Sequence, residues 1–155
     1  MKPKILILLQ NFYGYRPGRL KTPVYTTRII NRSNATYSRL LKYLEPHFEL
    51  YFGECTSSIG TNKDQKFPTD LEWVKRTLEH DEWFAVLAFS SQAHKACDDL
   101  GFVPYAKLPH PVSFKWRKTL IEETVKNLMS TNEYKQYGIQ QETPSTSGRG
   151  EANAN

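Results

Sequence analysis

Residues Lys4–Gln10, KILILLQ, form a continuous apolar run of strand length near the beginning of the chain. Such a run is typical of a strand that is covered on both faces of a parallel sheet, because neither face meets water. Trp83–Phe89, WFAVLAF, is a second run of the same kind. Both segments are therefore predicted to be buried strands, and the rest of the fold is built around them.

Strand and helix patterns alternate on either side of these runs. Two more strands are predicted, at Phe48–Gly53 and at Phe102–Leu108, the second of which Pro104 interrupts. Helices are predicted from Ser33 or Asn34 to Leu44, from Thr69 or Asp70 to about His80, at Ser91–Leu100 and, as the last element, at Arg117–Met129. Repeated strand–helix alternation indicates a parallel sheet with helices on both faces. We predict an α/β fold: a three-layer α/β/α sandwich with a central, mostly parallel four-stranded sheet.

The length of 155 residues suits a single core. One domain is predicted over residues 1–142, and Thr143–Asn155, TPSTSGRGEANAN, is predicted to be a disordered tail because it has no apolar anchor. No apolar run approaches the roughly 20 residues of a membrane span. Cys55 and Cys97 match no zinc or iron–sulfur spacing and are expected to be reduced thiols. We therefore expect a cytoplasmic, metal-free domain.

Positive charge is concentrated in two segments of a chain whose formal net charge is +5. The first 44 residues carry nine Lys or Arg and no Asp or Glu, whereas the remainder holds 12 basic and 16 acidic residues. A second stretch without acidic residues runs from Lys107 to Lys118. Positive clusters interleaved with aromatic residues favour a polyanionic partner, since each phosphate contact releases counterions. The alternative is a solvated basic surface.

Ligands of an open parallel sheet bind beyond the carboxyl ends of its strands. This rule selects four segments: Gln10–Tyr15, Glu54–Ser58, Phe89–Ser91 and Pro109–Trp116. Two of them begin or lie within the acid-free basic stretches, so charge and topology indicate the same edge. The first strand is followed by no Gly-rich phosphate loop, the chain has no GxSxG element, and its four histidines are scattered. No metal or cofactor site is predicted.

Two of these segments resemble the motifs of uracil-DNA glycosylases. Leu9–Gly14, LQNFYG, is similar to the first motif of that superfamily, Gly-Gln-Asp-Pro-Tyr-His, and Pro109–Ser113, PHPVS, to the second, His-Pro-Ser-Pro. Between them, Val86–Ala96 resembles the third strand with its helix, and Asn34–Leu41 resembles the first helix. The order and spacing hold over roughly residues 4–130. The resemblance implies a divergent, short and monomeric member of this superfamily.

The resemblance also implies roles for single residues around a flipped base. Gln10 would face the base with its backbone, and Asn11 would orient the attacking water, as Asn does in mismatch-specific members. Tyr13 would crowd C5 of the pyrimidine. Tyr25 would stack on the base, the alternative being that this aromatic-rich loop packs on itself. His110 would donate a hydrogen bond to the O2 atom of the leaving base and stabilise its negative charge.

A stacked base cannot be attacked at its sugar, so extrusion from the duplex and a plug for the gap are required. Phe114 is the expected wedge, and Trp116 is either a second wedge or the first core residue of the last helix. The predicted DNA contacts are Arg16, Arg19, Lys21, Ser113, Phe114, Lys115, Trp116 and Arg117.

Three residues depart from the family pattern. Asn11 replaces the Asp of the classical members, and Val112 replaces a serine of the second motif. Glu54 stands where the family usually has an Asn that reads the N3–H and O4 of uracil. A carboxylate would accept from N3–H but repel O4, and it would accept from the exocyclic amine of cytosine. The base is therefore predicted to be uracil or a modified pyrimidine.

Three functions compete on the sequence alone. The first is a monofunctional DNA glycosylase, which hydrolyses the N-glycosidic bond of a flipped base in single- or double-stranded DNA. No Lys is placed to act as a nucleophile, so no lyase step is expected. The second is a non-catalytic DNA-binding module on the same fold, which the departures favour. The third is an α/β enzyme acting on free nucleotides, for which Phe114 and Trp116 would have no use.

Overall fold

The computed structural model describes residues 2–10, 12–13, 22–28, 35–60 and 66–142. Eleven helices and strands lie in this part of the chain, and strands and helices alternate through most of it. In chain order they are β1 (Lys4–Leu8), β2 (Phe12–Tyr13), α1 (Ala35–Leu44), β3 (Glu49–Gly53), β4 (Ile59–Gly60), α2 (Leu71–Leu78), β5 (Ala85–Phe89), α3 (Ser91–Asp99), β6 (Ala106–Leu108), α4 (Lys118–Met129) and α5 (Asn132–Glu142).

The main sheet has four strands in the order β3-β1-β5-β6, and every pair is parallel. Leu8 at the end of β1 is in register with Gly53 on one side and Ala88 on the other. Phe89 at the end of β5 is in register with Leu108. The two apolar runs thus form the two central strands, and the predicted α/β fold with a parallel sheet is confirmed.

Side chains alternate between the two faces of β1, and each face carries its own core. Ile5, Ile7 and Leu9 pack in a cluster that also contains Leu44 of α1 and Ile121 of α4. On the opposite face, a smaller cluster joins the next set of buried side chains from β1, β5, α2 and α3: Leu8, Ala88, Val74, Ala93 and Cys97. Helices therefore cover both faces of the sheet, which gives the three expected layers.

The structure adds a helix that the sequence did not predict. Arg117–Met129 was expected to be the last element, but a short break at Ser130–Thr131 is followed by α5. The hydroxyl of Thr131 accepts a hydrogen bond from the backbone N of Tyr134 at 3.2 Å, and the Tyr134 ring packs on Phe48 and Phe84. The sequence NEYKQYGIQQE has few apolar residues and no stripe of them, so periodicity gave no signal.

The last strand is also shorter than expected. Phe102–Leu108 was predicted to be a strand, whereas β6 covers only Ala106–Leu108. Pro104 has no backbone N–H to offer a neighbouring strand, and pairing begins only after it. Arg117 likewise precedes α4 rather than starting it.

Two further predictions concern the membrane and the chain end. Of the helices within the described ranges, none combines the length and the apolar character needed to cross a bilayer. The predicted tail, Thr143–Asn155, lies outside the described residues. Cys55 and Cys97 are both free and buried.

Candidate functional site

The carboxyl ends of the four parallel strands meet at one edge, as they must in such a sheet. From β1 the chain passes to β3 on one side, and from β3 it crosses to β5 on the other side of β1. This reversal makes the carboxyl end of β1 a topological switch point, where α/β sheets form a crevice. Gln10 lies at this point, and its carbonyl oxygen accepts a hydrogen bond from the backbone N of Cys55 at 2.9 Å. We take this edge as the candidate site.

His110 follows β6 at this edge and is half-buried. The backbone N of Val112 donates to its Nδ1 atom at 3.3 Å, which requires Nδ1 to be unprotonated. Burial lowers the pKa of His110 below its usual 6.5. The ring is therefore neutral at physiological pH, with its proton on Nε2. His110 is a neutral hydrogen-bond donor, as the sequence-based assignment to the leaving base requires.

The loop that carries His110, residues 110–117, is folded onto itself by backbone contacts. The N of Ser113 donates to the carbonyl oxygen of His110 at 2.8 Å, and the N of Trp116 donates to that of Ser113 at 3.0 Å. The Ser113 hydroxyl accepts from the N of Lys115 at 3.1 Å. Two successive turns thus give the 110–117 loop a defined shape.

A residue that the sequence did not single out holds this loop from outside. The guanidinium of Arg39, on α1, donates to the carbonyl oxygen of Pro111. Arg39 and Pro111 are 72 positions apart, and an arginine on a helix is more often a solvated surface residue, so no sequence pattern identified the contact. Arg39 joins the first acid-free basic stretch to the loop of the second one.

The two aromatic residues at the end of the 110–117 loop, Phe114 and Trp116, differ in their exposure to solvent. The Phe114 side chain is 85 % exposed, and the Nζ atom of Lys115 lies 6.0 Å from the centre of its ring. The backbone beneath it is held by Arg117, whose Nη1 atom donates to the carbonyl oxygens of Phe114 and Trp116, each at 2.8 Å. Trp116 is half-buried and packs on Phe89, with 6.3 Å between ring centres. Of the two alternatives for Trp116, the structure favours the core position.

Tyr25 lies at a different part of the structure. Thr27 forms an antiparallel bridge with Phe52, so residues 22–28 run along the outer side of β3. The Tyr25 ring packs on Trp73 of α2, with 4.3 Å between ring centres, and lies 5.9 Å from the ring of His80. The structure does not bring Tyr25 together with His110, and the ring is engaged in packing on α2.

Glu54 follows β3 and is only 4 % exposed. Two backbone hydrogen bonds flank it and hold it beside the end of β1: the N of Leu9 donates to Gly53, and the N of Cys55 donates to Gln10, both at 2.9 Å. Burial raises the pKa of the Glu54 carboxyl well above its usual 4.5. Burial therefore favours the protonated form of this carboxyl more than it is favoured in an exposed glutamate.

Two residues of the β5–α3 junction, Ser90 through its backbone and His94 through its side chain, tie β6 to the rest of the edge. The N of Ser90 donates to the carbonyl oxygen of Leu108 at 3.1 Å. The Nε2 atom of His94 lies 2.9 Å from the carbonyl oxygens of both Ala88 and Leu108, so it carries the proton. His94 fixes the strand end that leads into His110. The scattered histidines gave no indication of this role.

Ser90 has a backbone conformation that is nearly confined to glycine, with φ 96° and ψ 153°. Such a conformation costs a non-glycine residue of the order of 1–3 kcal/mol. Its hydroxyl caps α3 by accepting from the N of Ala93 at 3.3 Å, and Ser→Gly at such a cap costs only a few tenths of a kcal/mol. Ser90→Gly should therefore raise the melting temperature by about 2–4 °C, as measured by circular dichroism.

Ser90→Ala is the matched control for this prediction. It removes the capping hydroxyl but keeps the strained backbone, so its melting temperature should fall below that of the unsubstituted protein. A lower melting temperature for Ser90→Gly as well would contradict the strain at this junction.

Several predicted site residues cannot be located by contacts. Asn11, Arg16, Arg19 and Lys21 lie outside the described residues. Tyr13 is described by its backbone alone, as part of β2, which pairs with β4. In the described part of the chain, no three His, Cys, Asp or Glu side chains are grouped so that they could hold a metal ion.

Comparison with known proteins adds no assignment. No family model matches the sequence, and no match was found among curated proteins or solved structures. The function is therefore argued from the edge of the sheet and its residues.

Proposed function

We propose that this protein is a DNA glycosylase that hydrolyses the N-glycosidic bond of a uracil or modified pyrimidine flipped out of DNA. The observation that carries the proposal is the neutral His110, which presents an Nε2–H donor on the same loop as the exposed Phe114. A donor for the leaving base and a wedge for the duplex are the two devices that such an enzyme needs on one segment.

The chemistry assigned to His110 follows from its protonation state. When the bond between C1′ and N1 breaks, negative charge develops on the base, mainly on its oxygens. A preorganised N–H donor in a partly dry site stabilises this charge without having to reorganise. Asn11 orients a water molecule toward C1′. As the C1′–N1 bond breaks, the water oxygen bonds to C1′, its surplus proton passes to solvent, and the departing base anion takes up a proton from solvent. No cofactor takes part.

We assign to the other residues of the 110–117 loop the task of opening the duplex so that the base can enter the site. Phe114 fills the gap that the extruded base leaves in the duplex. Lys115 and Arg117 are exposed beside it and bind the flanking phosphates, together with Arg16, Arg19 and Lys21. The Ser113 hydroxyl accepts a hydrogen bond from Lys115 within the loop, so its own proton is available to a phosphate oxygen. We also propose that the protein is cytoplasmic and acts as a monomer.

The experiment that tests the proposal uses end-labelled DNA that carries one uracil, either single-stranded or paired with G or A. Alkali cleaves the strand wherever a base has been removed. We expect cleavage by the unsubstituted protein and its loss in His110→Ala. DNA binding without cleavage of uracil or of modified pyrimidines would overturn the proposal and leave a DNA-binding module on this fold as the function.

The contact between Arg39 and Pro111 provides a separate prediction. A hydrogen bond from a charged donor contributes about 1.5–3 kcal/mol. If half of this energy serves to position His110, Arg39→Ala should lower kcat/KM for uracil release about 3–10-fold, since 1.4 kcal/mol corresponds to a factor of ten. Arg39→Lys should recover part of the loss, because its ammonium group also donates.

Arg76→Ala is the control for the Arg39 variants. Arg76 lies on α2 in an exposed ion pair with Glu72, far along the chain from the 110–117 loop. Its replacement should leave cleavage unchanged. Equal rates for Arg39→Ala and the unsubstituted protein would contradict a positioning role of Arg39.

A further inference from the structure

The backbone that leads into His110 needs support from outside its own strand. His110 comes two positions after Leu108, the last residue of β6, and Pro109 between them has no backbone N–H to donate. β6 has only three residues and is an outer strand of the sheet, beside β5. Sheet pairing therefore ends before His110, and other groups must set the position of its ring.

The last strand carbonyl before His110 accepts from two donors. The N of Ser90 and the Nε2–H of His94 both donate to the oxygen of Leu108, at 3.1 and 2.9 Å. The same Nε2–H lies 2.9 Å from the oxygen of Ala88 in β5. One half-buried side chain thus joins the ends of β5 and β6 at the point from which the chain continues to His110.

His94 lies on a well-anchored turn of α3. The side-chain amide of the neighbouring Gln92 donates to the carbonyl oxygen of Phe67 and to the hydroxyl of Thr69, both at 3.0 Å. Ala93 is buried in the smaller of the two cores. The first turn of α3 is therefore fixed to the rest of the domain, and the His94 ring holds the sheet edge from a rigid base.

A second support reaches the same loop from the other layer of helices. The guanidinium of Arg39, on α1, donates to the carbonyl oxygen of Pro111. α1 belongs to the core on one face of the sheet and α3 to the core on the other. The His110 backbone therefore lies between two carbonyls, those of Leu108 and Pro111, and each is held by a side chain from a different layer.

We propose that His94 is a positioning residue of the glycosylase reaction, and that it acts through Leu108 to set where the Nε2–H of His110 lies. This inference rests on the proposed function and adds to it a residue that acts without touching the base. A donor to the developing charge must be in place before the bond breaks, because reorganisation during the reaction would cost part of the stabilisation. Loss of the His94 contact releases the end of β6, and His110 with it.

Three variants separate the His94 donor from the volume of its ring. In His94→Gln the amide N–H is the same number of bonds from Cα as the Nε2–H of histidine, so the contact should persist. His94→Asn carries the same amide closer to the helix and should lose the contact, and His94→Leu fills the space without a donor. Circular dichroism checks that each variant is folded.

Single-turnover cleavage of uracil DNA is the first measurement on these variants. We expect the rate constant to fall about 3–10-fold in His94→Leu and His94→Asn, and to stay within about twofold in His94→Gln, with Kd for the DNA unchanged in all three. A loss in His94→Gln as large as that in His94→Leu would overturn the role of the donor.

A double-mutant cycle separates positioning from a merely structural role. If His94 acts through His110, its replacement has nothing to act on once the His110 ring is gone. The His94→Leu substitution should therefore lower cleavage in the unsubstituted background and have no further effect in the His110→Ala background. An equal loss in both backgrounds would overturn the inference.

Nuclear magnetic resonance tests the same support without DNA. The ring signal of His110, assigned by its absence in His110→Ala, should shift and broaden in His94→Leu and stay unchanged in His94→Gln. The Ser90 amide, which shares the Leu108 oxygen with His94, should exchange with solvent about 3–10-fold faster in His94→Leu. The ring signal of the exposed His80 is the control. An unchanged His110 signal in His94→Leu would overturn the inference.

The two proposals fail in different ways. Uncut uracil DNA together with a perturbed His110 signal in His94→Leu would overturn the glycosylase proposal and leave His94 as the residue that positions His110. Cleavage of uracil DNA at the same rate by His94→Leu and the unsubstituted protein would overturn the role of His94 alone.

Discussion

Replacement of His110 by Ala is expected to lower the rate constant of uracil release by about 10²–10³-fold, the effect of removing one preorganised donor to a developing oxyanion. The Nε2–H of the neutral ring is the group that is lost. Single-turnover cleavage of uracil-containing DNA measures this rate constant apart from product release. Binding of the DNA should change little, because the charge on the base develops only as the bond breaks.

His80→Ala is the control, since His80 is exposed and follows α2. The pH profile adds a second signature. As pH falls through the lowered pKa of His110, the ring gains a proton on Nδ1 and the hydrogen bond from Val112 is lost. Activity should therefore hold from neutral pH to below 6.5 and then decline, and His110→Ala should lack this decline. A cleavage rate in His110→Ala close to that of the unsubstituted protein would exclude the proposed chemistry.

Replacement of Phe114 by Ala is expected to lower uracil release from duplex DNA by about 10–100-fold, because unstacking a base step costs a few kcal/mol that the wedge offsets. Single-stranded DNA has no stack to open and no gap to fill. Its cleavage should change by no more than about threefold. The ratio of the two rates is the measurement, because it cancels any general loss of folded protein.

Val103→Ala is the matched control for Phe114. Val103 is 88 % exposed, but it lies between α3 and β6 and not on the 110–117 loop. Its replacement removes an exposed apolar side chain without touching the site, so the ratio should stay unchanged. Phe114→Leu keeps an apolar plug and should retain most of the duplex activity. Equal losses on duplex and single strand in Phe114→Ala would contradict a wedge.

The fold was predictable from the sequence because its two central strands are buried on both faces. Ile5 and Leu87 belong to runs in which almost every residue is apolar, and no other regular element requires such runs at this length. The last helix, α5, contains no such apolar run. In α5, the Tyr134 ring packs on Phe48 and Phe84 and the Tyr137 hydroxyl donates to the carbonyl oxygen of Lys2, and two such contacts leave no periodic pattern.

From the sequence, only the site residues that directly follow a predicted strand could be placed. His110 and Glu54 follow strands, so the rule for parallel sheets placed them at one edge. The contacts of Arg39 with Pro111 and of His94 with Leu108 join positions 72 and 14 residues apart, and a single sequence does not encode such pairs in its pattern. The charge state of Glu54 depends on burial, which also required the structure.

The bridge between Thr27 and Phe52 has a consequence for the behaviour of the protein in concentrated solution. An open sheet has two outer strands whose free backbone groups can pair with another chain and begin aggregation. Residues 22–28 occupy part of the free side of β3 through this bridge. At the opposite margin, β6 has only three residues, and its Lys107 carries a charge that pairs with Asp98. Intermolecular strand pairing is thus hindered at both margins, by cover at one and by brevity and charge at the other.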